Sequence, residues 1–335
     1  MLRPYIIAEV AQAHDGNINI AHAFIDAVAN TKAADAIKFQ THFADEESMP
    51  EEKWRKKFSR VAETRFEYWK RMEFSEDQWV EIKYHCQEVG LDFLSSPFSL
   101  KAAKLLSKIG MQTWKIASGE VTNFPMLDYI ANLGGQKFII STGLCSTKEL
   151  EECIKRIRTN KNQVEILACI SKYPAPIGEI NLKYMDSLGK KFQCKTGLSD
   201  HSASIYPCLT AYTQGATTLE VHVSFHRDYF GPDNPASLML EDLTELRHGL
   251  DQIQVIMSPA GDVDKKNTDA MRSLFLKSIV VNENMSKGQK IQLNHLAFKK
   301  PGTGISASEY EKVVGSELLC DKLAGELLRY GDFCG

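Results

Sequence analysis

Thr217-Thr218-Leu219-Glu220-Val221-His222-Val223 is a β-branched run carrying a carboxylate and an imidazole near its end. The run before it, Gln193-Cys194-Lys195-Thr196-Gly197-Leu198-Ser199, closes on a hydroxyl with Asp200 and His201 directly behind. The same form recurs upstream at residues 5–10, 35–40, 91–96, 113–117, 137–142 and 164–169. Nearly every run is apolar at its start and ends in something reactive: Glu9, Lys38 and Gln40, Ser95 and Ser96, Lys115, Ser141. Between the runs lie amphipathic stretches such as Ile20, Phe24 and Val28, spaced as on one helix face. About eight β/α repeats of this length fit a closed parallel barrel better than an open doubly wound sheet. A barrel opens all its strand C-termini onto one face, so repeated polar ends point to a functional rim there. The expected fold is therefore α/β, a (β/α)8 TIM barrel over residues 1–259, followed by a small C-terminal domain.

Two segments interrupt the repeat. Residues 43–75, with Trp54, Phe58, Phe66, Tyr68 and Trp69, are too long for a simple βα loop. They read either as a lid or packed helical insertion at the catalytic end, or as a solvated decoration. After Pro259 the polar stretch 260–270 reads as a linker. Residues 271–335 form the second domain, with a strand at 275–281, a turn at Pro301-Gly302-Thr303-Gly304, and short helical pieces at 309–314 and 318–324. So small a domain buries little core of its own and calls for a docking surface.

The 335 residues are 43% hydrophobic, 25% charged and 9% aromatic, which excludes a disordered, collagenous or disulfide-scaffold chain. A net charge of −3 provides no broad cationic face, so neither nucleic acid nor an anionic membrane is an expected partner. No apolar run approaches the roughly 20 residues needed to span a bilayer. No secretory leader is evident, and the eight cysteines are scattered without C-x-x-C spacing. Free thiols and a cytoplasmic location are the expectation.

His201 and His222 stand at the ends of adjacent strands, a plausible divalent-metal site with open positions; the bland alternative is a pair of hydrogen-bonded core histidines. His226 makes an H-x-x-x-H with His222, but that spacing gathers ligands only on a helix. Lys38, Lys115, Ser96, Ser118, Ser141 and Ser199 supply cationic and hydroxyl donors at one mouth, as a phosphate or carboxylate requires. Singly, lysines snorkel and serines cap helices, so the coincidence carries the weight. Gly119 would let backbone amides approach an anion. Glu9 and Glu120 are the candidates for general acid/base work. His14, in Ala13-His14-Asp15-Gly16, would either meet substrate or stabilise its Asp-Gly turn.

These residues fall in motifs that resemble the sialic acid synthase family almost end to end. The carriers are Ile7-Ala8-Glu9, Ile37-Lys38-Phe39-Gln40-Thr41, Ser95-Ser96-Pro97-Phe98, Lys115-Ile116-Ala117-Ser118-Gly119-Glu120, Ser141-Thr142-Gly143 and Tyr173-Pro174-Ala175-Pro176. Gly197-Leu198-Ser199-Asp200-His201, Glu220-Val221-His222 and Gly231-Pro232-Asp233 follow. Lys300-Pro301-Gly302-Thr303-Gly304-Ile305 resembles the antifreeze-like (SAF) domain of these enzymes. The resemblance implies condensation of phosphoenolpyruvate with an N-acyl amino sugar, N-acetylmannosamine or a related bacterial sugar, to a nonulosonic (sialic) acid with release of phosphate.

It further implies a Mn2+ or Mg2+ ion on His201 and His222, and phosphoenolpyruvate held by Lys115, Ser96, Ser118, Ser141 and Ser199 with Lys38. Gln40, Tyr173 and Asp233 would contact the sugar, and Glu9 and Glu120 would serve the proton transfers. Lys300 stands where the family uses an arginine to meet the N-acyl group, and lysine lacks that planar fork. A domain-swapped homodimer, each C-terminal domain capping the other barrel, is implied as well. The competing readings are a condensing synthase of the deoxy-octulosonate phosphate type, which lacks the C-terminal domain, and a non-catalytic carbohydrate-binding protein.

Overall fold

Where β-branched and amphipathic runs alternate in the sequence, strands and helices alternate in the structure. The computed structural model describes residues 3–54, 57–258 and 265–334. Two compact units divide the chain, Met1–Ser258 and Pro259–Gly335. The first runs β1 (Tyr5–Ala11), α1 (Ile18–Thr31), β2 (Ala36–Thr41), α2 (Ala44–Glu47), α3 (Arg65–Met72), α4 (Glu76–Glu88), β3 (Asp92–Pro97), α5 (Leu100–Lys108) and β4 (Thr113–Ile116). It continues through α6 (Phe124–Asn132), β5 (Lys137–Ser141), α7 (Thr147–Ile157), β6 (Gln163–Cys169), α8 (Leu182–Phe192) and β7 (Lys195–Asp200). Then come α9 (Tyr206–Thr213), β8 (Thr218–Ser224), β9 (Leu238–Met239) and α10 (Leu240–Met257).

The parallel ladder runs β3-β2-β1-β8-β7-β6-β5-β4, and its two ends, β3 and β4, pack side by side at the seam. This is the (β/α)8 barrel. Period-two alternation divides each strand between two environments. One parity (Ile6, Ala8, Ile37, Phe39, Trp114, Phe138 and their like) joins the buried cluster shared with the helices. The other parity forms a smaller cluster of Ile7, Ala36, Leu94, Ile139 and Leu167. Two residues on along that same parity stand Glu9, Lys38, Ser96, Ser141 and Cys169, so the polar ends form a layer above an apolar plug. Gly197 in β7 has a packing reason: an added Cβ would collide with the Thr218 carbonyl oxygen. Gln193, expected in the strand, is instead the left-handed cap of α8, with φ 47°, and β7 starts at Lys195.

Within residues 43–75 the described residues pack as an insertion. Ala62, Tyr68 and Met72 are buried, with Trp54, Phe58 and Trp69 packed against them. Thr64 and Glu67 cap α3 reciprocally. Arg71 of α3 pairs with Asp15 in the first βα loop.

The second unit contains α11 (Lys265–Phe275), β10 (Ser278–Val281), β11 (Leu296–Lys299), α12 (Tyr310–Val313), β12 (Glu317–Leu318) and β13 (Phe333–Cys334). Its core includes Ile279, Val281, Met285, Ile291, Leu296 and Leu328. Two sequence expectations need correcting. Of the linker at 260–270, residues 260–264 lie outside the described residues, and α11 already begins at Lys265. That helix continues to Phe275, so the strand starts only at Ser278; Met271, Leu274 and Phe275 fall at helical spacing. Residues 318–324 are not helical. Met285 and Lys322 exchange backbone hydrogen bonds at 2.8 Å each, a non-local partnership that consumes the backbone groups a helix would need. No helix among the described residues is long and apolar enough to cross a membrane. All eight cysteines are free thiols.

Candidate active site

The polar layer at the strand C-termini is a buried network. Lys38 Nζ lies 2.7 Å from Glu9 Oε2 and 3.7 Å from Glu220 Oε2, and it donates to Ser96 Oγ at 3.2 Å. Lys115 Nζ donates to Ser141 Oγ at 2.7 Å and lies 3.6 Å from Glu220 Oε1. Ser199 Oγ donates to the same carboxylate oxygen at 2.8 Å. Gln40 Nε2 donates to Glu9 Oε1 at 2.8 Å. Strand register accounts for these meetings, with Glu9 level with Lys38 on one side and His222 on the other. Ser199 is likewise level with Glu220.

Burying two lysines and two carboxylates together divides their proton affinities. Burial pushes Glu9 up to about 7, and Glu220 adds to the rise while Lys38 and Gln40 oppose it. Burial acts the same way on Glu220, but Lys115, Lys38 and Ser199 overcome it and hold that carboxylate below its ordinary range. Burial pulls Lys115 below the usual ammonium range. Lys38 is drawn down by burial too, yet the carboxylates of Glu220 and Glu9 leave it raised. The layer thus holds one firmly ionised acid and one acid poised near neutrality.

The His201 and His222 rings stand 5.2 Å apart, centroid to centroid, and both are buried. Tyr173 stacks on His201 at 4.2 Å and meets His222 edge-on at 5.7 Å. His201 Nδ1 lies 2.8 Å from the Ile170 carbonyl oxygen, which only accepts, so Nδ1 carries the hydrogen and Nε2 offers its lone pair. Burial lowers both imidazole pKa values, favouring the neutral, ligating form. The pair therefore fits a divalent ion with two protein ligands. Among the described residues no group of three or more His, Cys, Asp or Glu is arranged to hold one.

The remaining expected residues are placed as follows. Ser118 Oγ lies 3.2 Å from Ser171 Oγ, at the start of the 3-10 turn Ser118–Glu120, and the space above Gly119 is open. Glu120 Oε2 accepts from Asn123 Nδ2 at 2.8 Å; burial raises its pKa, helped by Glu47. Asp233 is close enough to Tyr173 to help burial raise the phenol's pKa. His14 serves its turn, accepting from Gly16 N at 3.1 Å. His226 lies beyond the end of β8 and is exposed. Lys300 belongs to the second unit, its Nζ 5.0 Å above the Phe275 ring. Sequence reasoning named Glu220 beside His222 at a strand end but gave it no role in the site. It left out Gln12 and His42, which meet Gln40, and Glu47, which meets His42; the Lys38, Gln40, His42 spacing was the available signal for His42.

A family model described as NeuB family matches residues 24–262, and one described as SAF domain matches residues 277–333. An N,N'-diacetyllegionaminic acid synthase of Campylobacter jejuni is 33% identical over 335 residues, covering 98% of this chain and 100% of its own. One of the same description from Legionella pneumophila is 31% identical, covering 97% and 93%. The crystal structure of an N-acetylneuraminic acid synthetase from Leptospira borgpetersenii, in complex with citrate, superposes with a TM-score of 0.69 at 28% identity. It covers 81% of this chain and 92% of that one.

Proposed function

The chain belongs to the NeuB family, and from that premise we propose that it condenses phosphoenolpyruvate with the open-chain aldehyde of an N-acyl amino sugar. The products are a nonulosonic acid and inorganic phosphate. Supporting this reading above all is the buried donor layer, in which Lys115, Lys38 and Ser199 surround one carboxylate, Glu220, while Ser141 and Ser96 accept from the two lysines. Such donors suit an anion carrying both phosphate and carboxylate, and low dielectric strengthens each contact.

In the proposed reaction these residues and Ser118 hold phosphoenolpyruvate, while Gln40, Tyr173 and Asp233 orient the acceptor. C3 of phosphoenolpyruvate attacks the aldehyde carbon, water adds at C2, and the C–O bond to phosphate breaks. Glu120, its proton affinity raised by burial, accepts the water's proton, and Glu9 serves the transfer at the acceptor's oxygen. His201 and His222 would hold a Mn2+ or Mg2+ ion, which when bound would supply Lewis-acid polarisation of the aldehyde. The relatives' descriptions favour an acceptor bearing two N-acetyl groups.

The same proposal includes a homodimer in which the C-terminal domain of each subunit caps the partner barrel and brings Lys300 to the sugar. Exposed apolar side chains at Val255 and Ile256 in the first unit, and at Leu274 and Phe275 in the second, support burial against another surface. A chain truncated after Pro259, co-expressed with full-length His222→Ala, should regain activity in mixed dimers; mixed dimers without recovery would overturn the exchange.

The activity is tested by phosphate release from phosphoenolpyruvate with N-acetylmannosamine, its 6-phosphate and a 2,4-diacetamido sugar, the product identified by mass spectrometry. Release with one of them is expected. Release only with a pentose phosphate, or with no sugar at all, would overturn the proposal.

A further inference from the structure

Beyond Gln40 the chain carries a second polar constellation that the reaction leaves unassigned. His42 is 3% exposed, its ring stacked on Trp69 and on Phe98 at 4.4 and 4.5 Å between centroids. His42 Nδ1 lies 2.7 Å from Glu47 Oε1 in α2. An ionised carboxylate only accepts, so Nδ1 carries the hydrogen. His42 Nε2 therefore faces two amides, 3.0 Å from Gln12 Nε2 and 3.2 Å from Gln40 Oε1. Gln12 Nε2 also donates to Gln40 Oε1. The other end of Gln40, Nε2, donates to Glu9 Oε1 at 2.8 Å.

These contacts have one direction. A protonated ring would donate from Nε2 to the oxygen of Gln40 directly, whereas in the neutral ring Nε2 accepts and demands the NH2 end of Gln12. That end, once placed, demands the oxygen of Gln40, and the NH2 of Gln40 is left for Glu9. A glutamine's two ends are nearly the same shape, and the choice between them belongs to the hydrogen-bond network. Here the choice starts at a carboxylate in the insertion.

We propose that His42, braced by Glu47, is a positioning residue for the acceptor sugar: through Gln12 it fixes the direction of the Gln40 amide. The proposal rests on the reading of Gln40 as an acceptor-binding residue, and it assigns the 43–75 insertion a task. Glu47 brings the brace and Trp69 one of the two stacking faces. A ring kept only for packing would need neither nitrogen.

His42→Phe separates the two roles, because it keeps an aromatic ring in the stack and removes both nitrogens. The acceptor KM should rise by about tenfold, the worth of one or two buried hydrogen bonds, with the phosphoenolpyruvate KM nearly unchanged; the melting temperature should fall by a few degrees, because Glu47 and Gln12 each lose a buried partner. His42→Gln, which restores a polar group at the Nε2 side, should recover part of the loss. Glu47→Leu should reproduce the acceptor-selective defect without touching the ring, and it decides the matter if His42→Phe does not fold. An unchanged acceptor KM in these variants, or equal losses for both substrates, would overturn the proposal. Should the wild type condense no N-acyl sugar, the functional reading fails by itself. Neutron crystal structures of wild type and His42→Phe, which distinguish the NH2 from the oxygen of the amide, then decide the positioning: a Gln40 NH2 that stays on Glu9 in the variant overturns it, and one that turns away supports it.

Discussion

The two ends of the barrel carry the same pair of side-chain types and treat them differently. At the strand C-termini Lys115 and Glu220 lie 3.6 Å apart with side chains 3% and 6% exposed. At the strand N-termini Lys137 and Glu165 lie 3.3 Å apart, but Lys137 is 37% exposed. There Thr217 also donates to Glu165 at 2.7 Å. A cavity of about 340 Å3, lined by Arg3, Lys137, Glu165 and Lys195 among others, adjoins that pair. The difference shows that distance alone does not make a functional charge. Water beside Lys137 screens its pair, whereas the buried lysines retain strong fields and need a partner, which an anionic substrate can also be.

The largest effect should come from Lys115→Ala. It removes a donor from Ser141 and leaves Glu220 buried with only Lys38 and Ser199 beside it. Turnover should fall by about 10^3-fold or more, read as phosphate release, and stability by about 3 kcal/mol, read by denaturant unfolding. Retained activity would show that burial at this end has no catalytic meaning.

Next comes the histidine pair. His222→Ala, or chelation of the wild type, should lower turnover by about a hundredfold or more, with the fold intact by circular dichroism. Readdition of Mn2+ should restore the chelated wild type and not the variant. Full activity in a metal-free enzyme would remove the ion from the proposed mechanism.

A smaller effect tests the poise of Glu9, whose carboxyl burial pushes up to about 7. Below that pH Glu9 is neutral, and the layer carries one negative charge fewer than above it, where Glu9 ionises beside the site for phosphoenolpyruvate. Phosphoenolpyruvate should therefore bind less well as pH rises through about 7, its KM increasing by roughly threefold to tenfold. Glu9→Gln should flatten that limb. The substrate's own ionisation is common to both proteins, so the difference between their profiles isolates Glu9, and parallel profiles would contradict its poised state.

How much of this was legible follows from what periodicity encodes. Strand parity is written in the sequence, so the barrel and its polar rim could be read from Glu9, Lys38, Ser96 and Ser141. Glu220 could be read as a polar strand end at the parity of His222, but not as the partner of Lys38 and Lys115, which reach it from β2 and β4. His42 continues the spacing of Lys38 and Gln40, but its partners were not legible, because Gln12 comes from a loop and Glu47 from the insertion. Contacts of that kind depend on how segments return to the barrel, which no local spacing records. The backbone pairing of Met285 with Lys322 escaped for the same reason, whereas the start of α11 at Lys265 escaped because its first turn is polar throughout.

The smallest effect is the sharpest test of the comparison itself. Lys137→Ala removes the cation from Glu165 at the far end of the same barrel, across the apolar layer of Ile7, Leu94, Ile139 and Leu167. Glu165 keeps the Thr217 hydroxyl as a donor, and the lysine's exposure limits what the pair was worth. Stability should fall by less than about 1 kcal/mol, and kcat and both KM values should stay within about twofold of wild type. High salt should reproduce most of the loss in the wild type, since a screened pair has little left to remove. A large kinetic defect in Lys137→Ala would mean that the apolar layer transmits the state of one end to the other. The two polar layers would then be one electrostatic unit, and the contrast drawn from their burial would no longer separate function from scaffold.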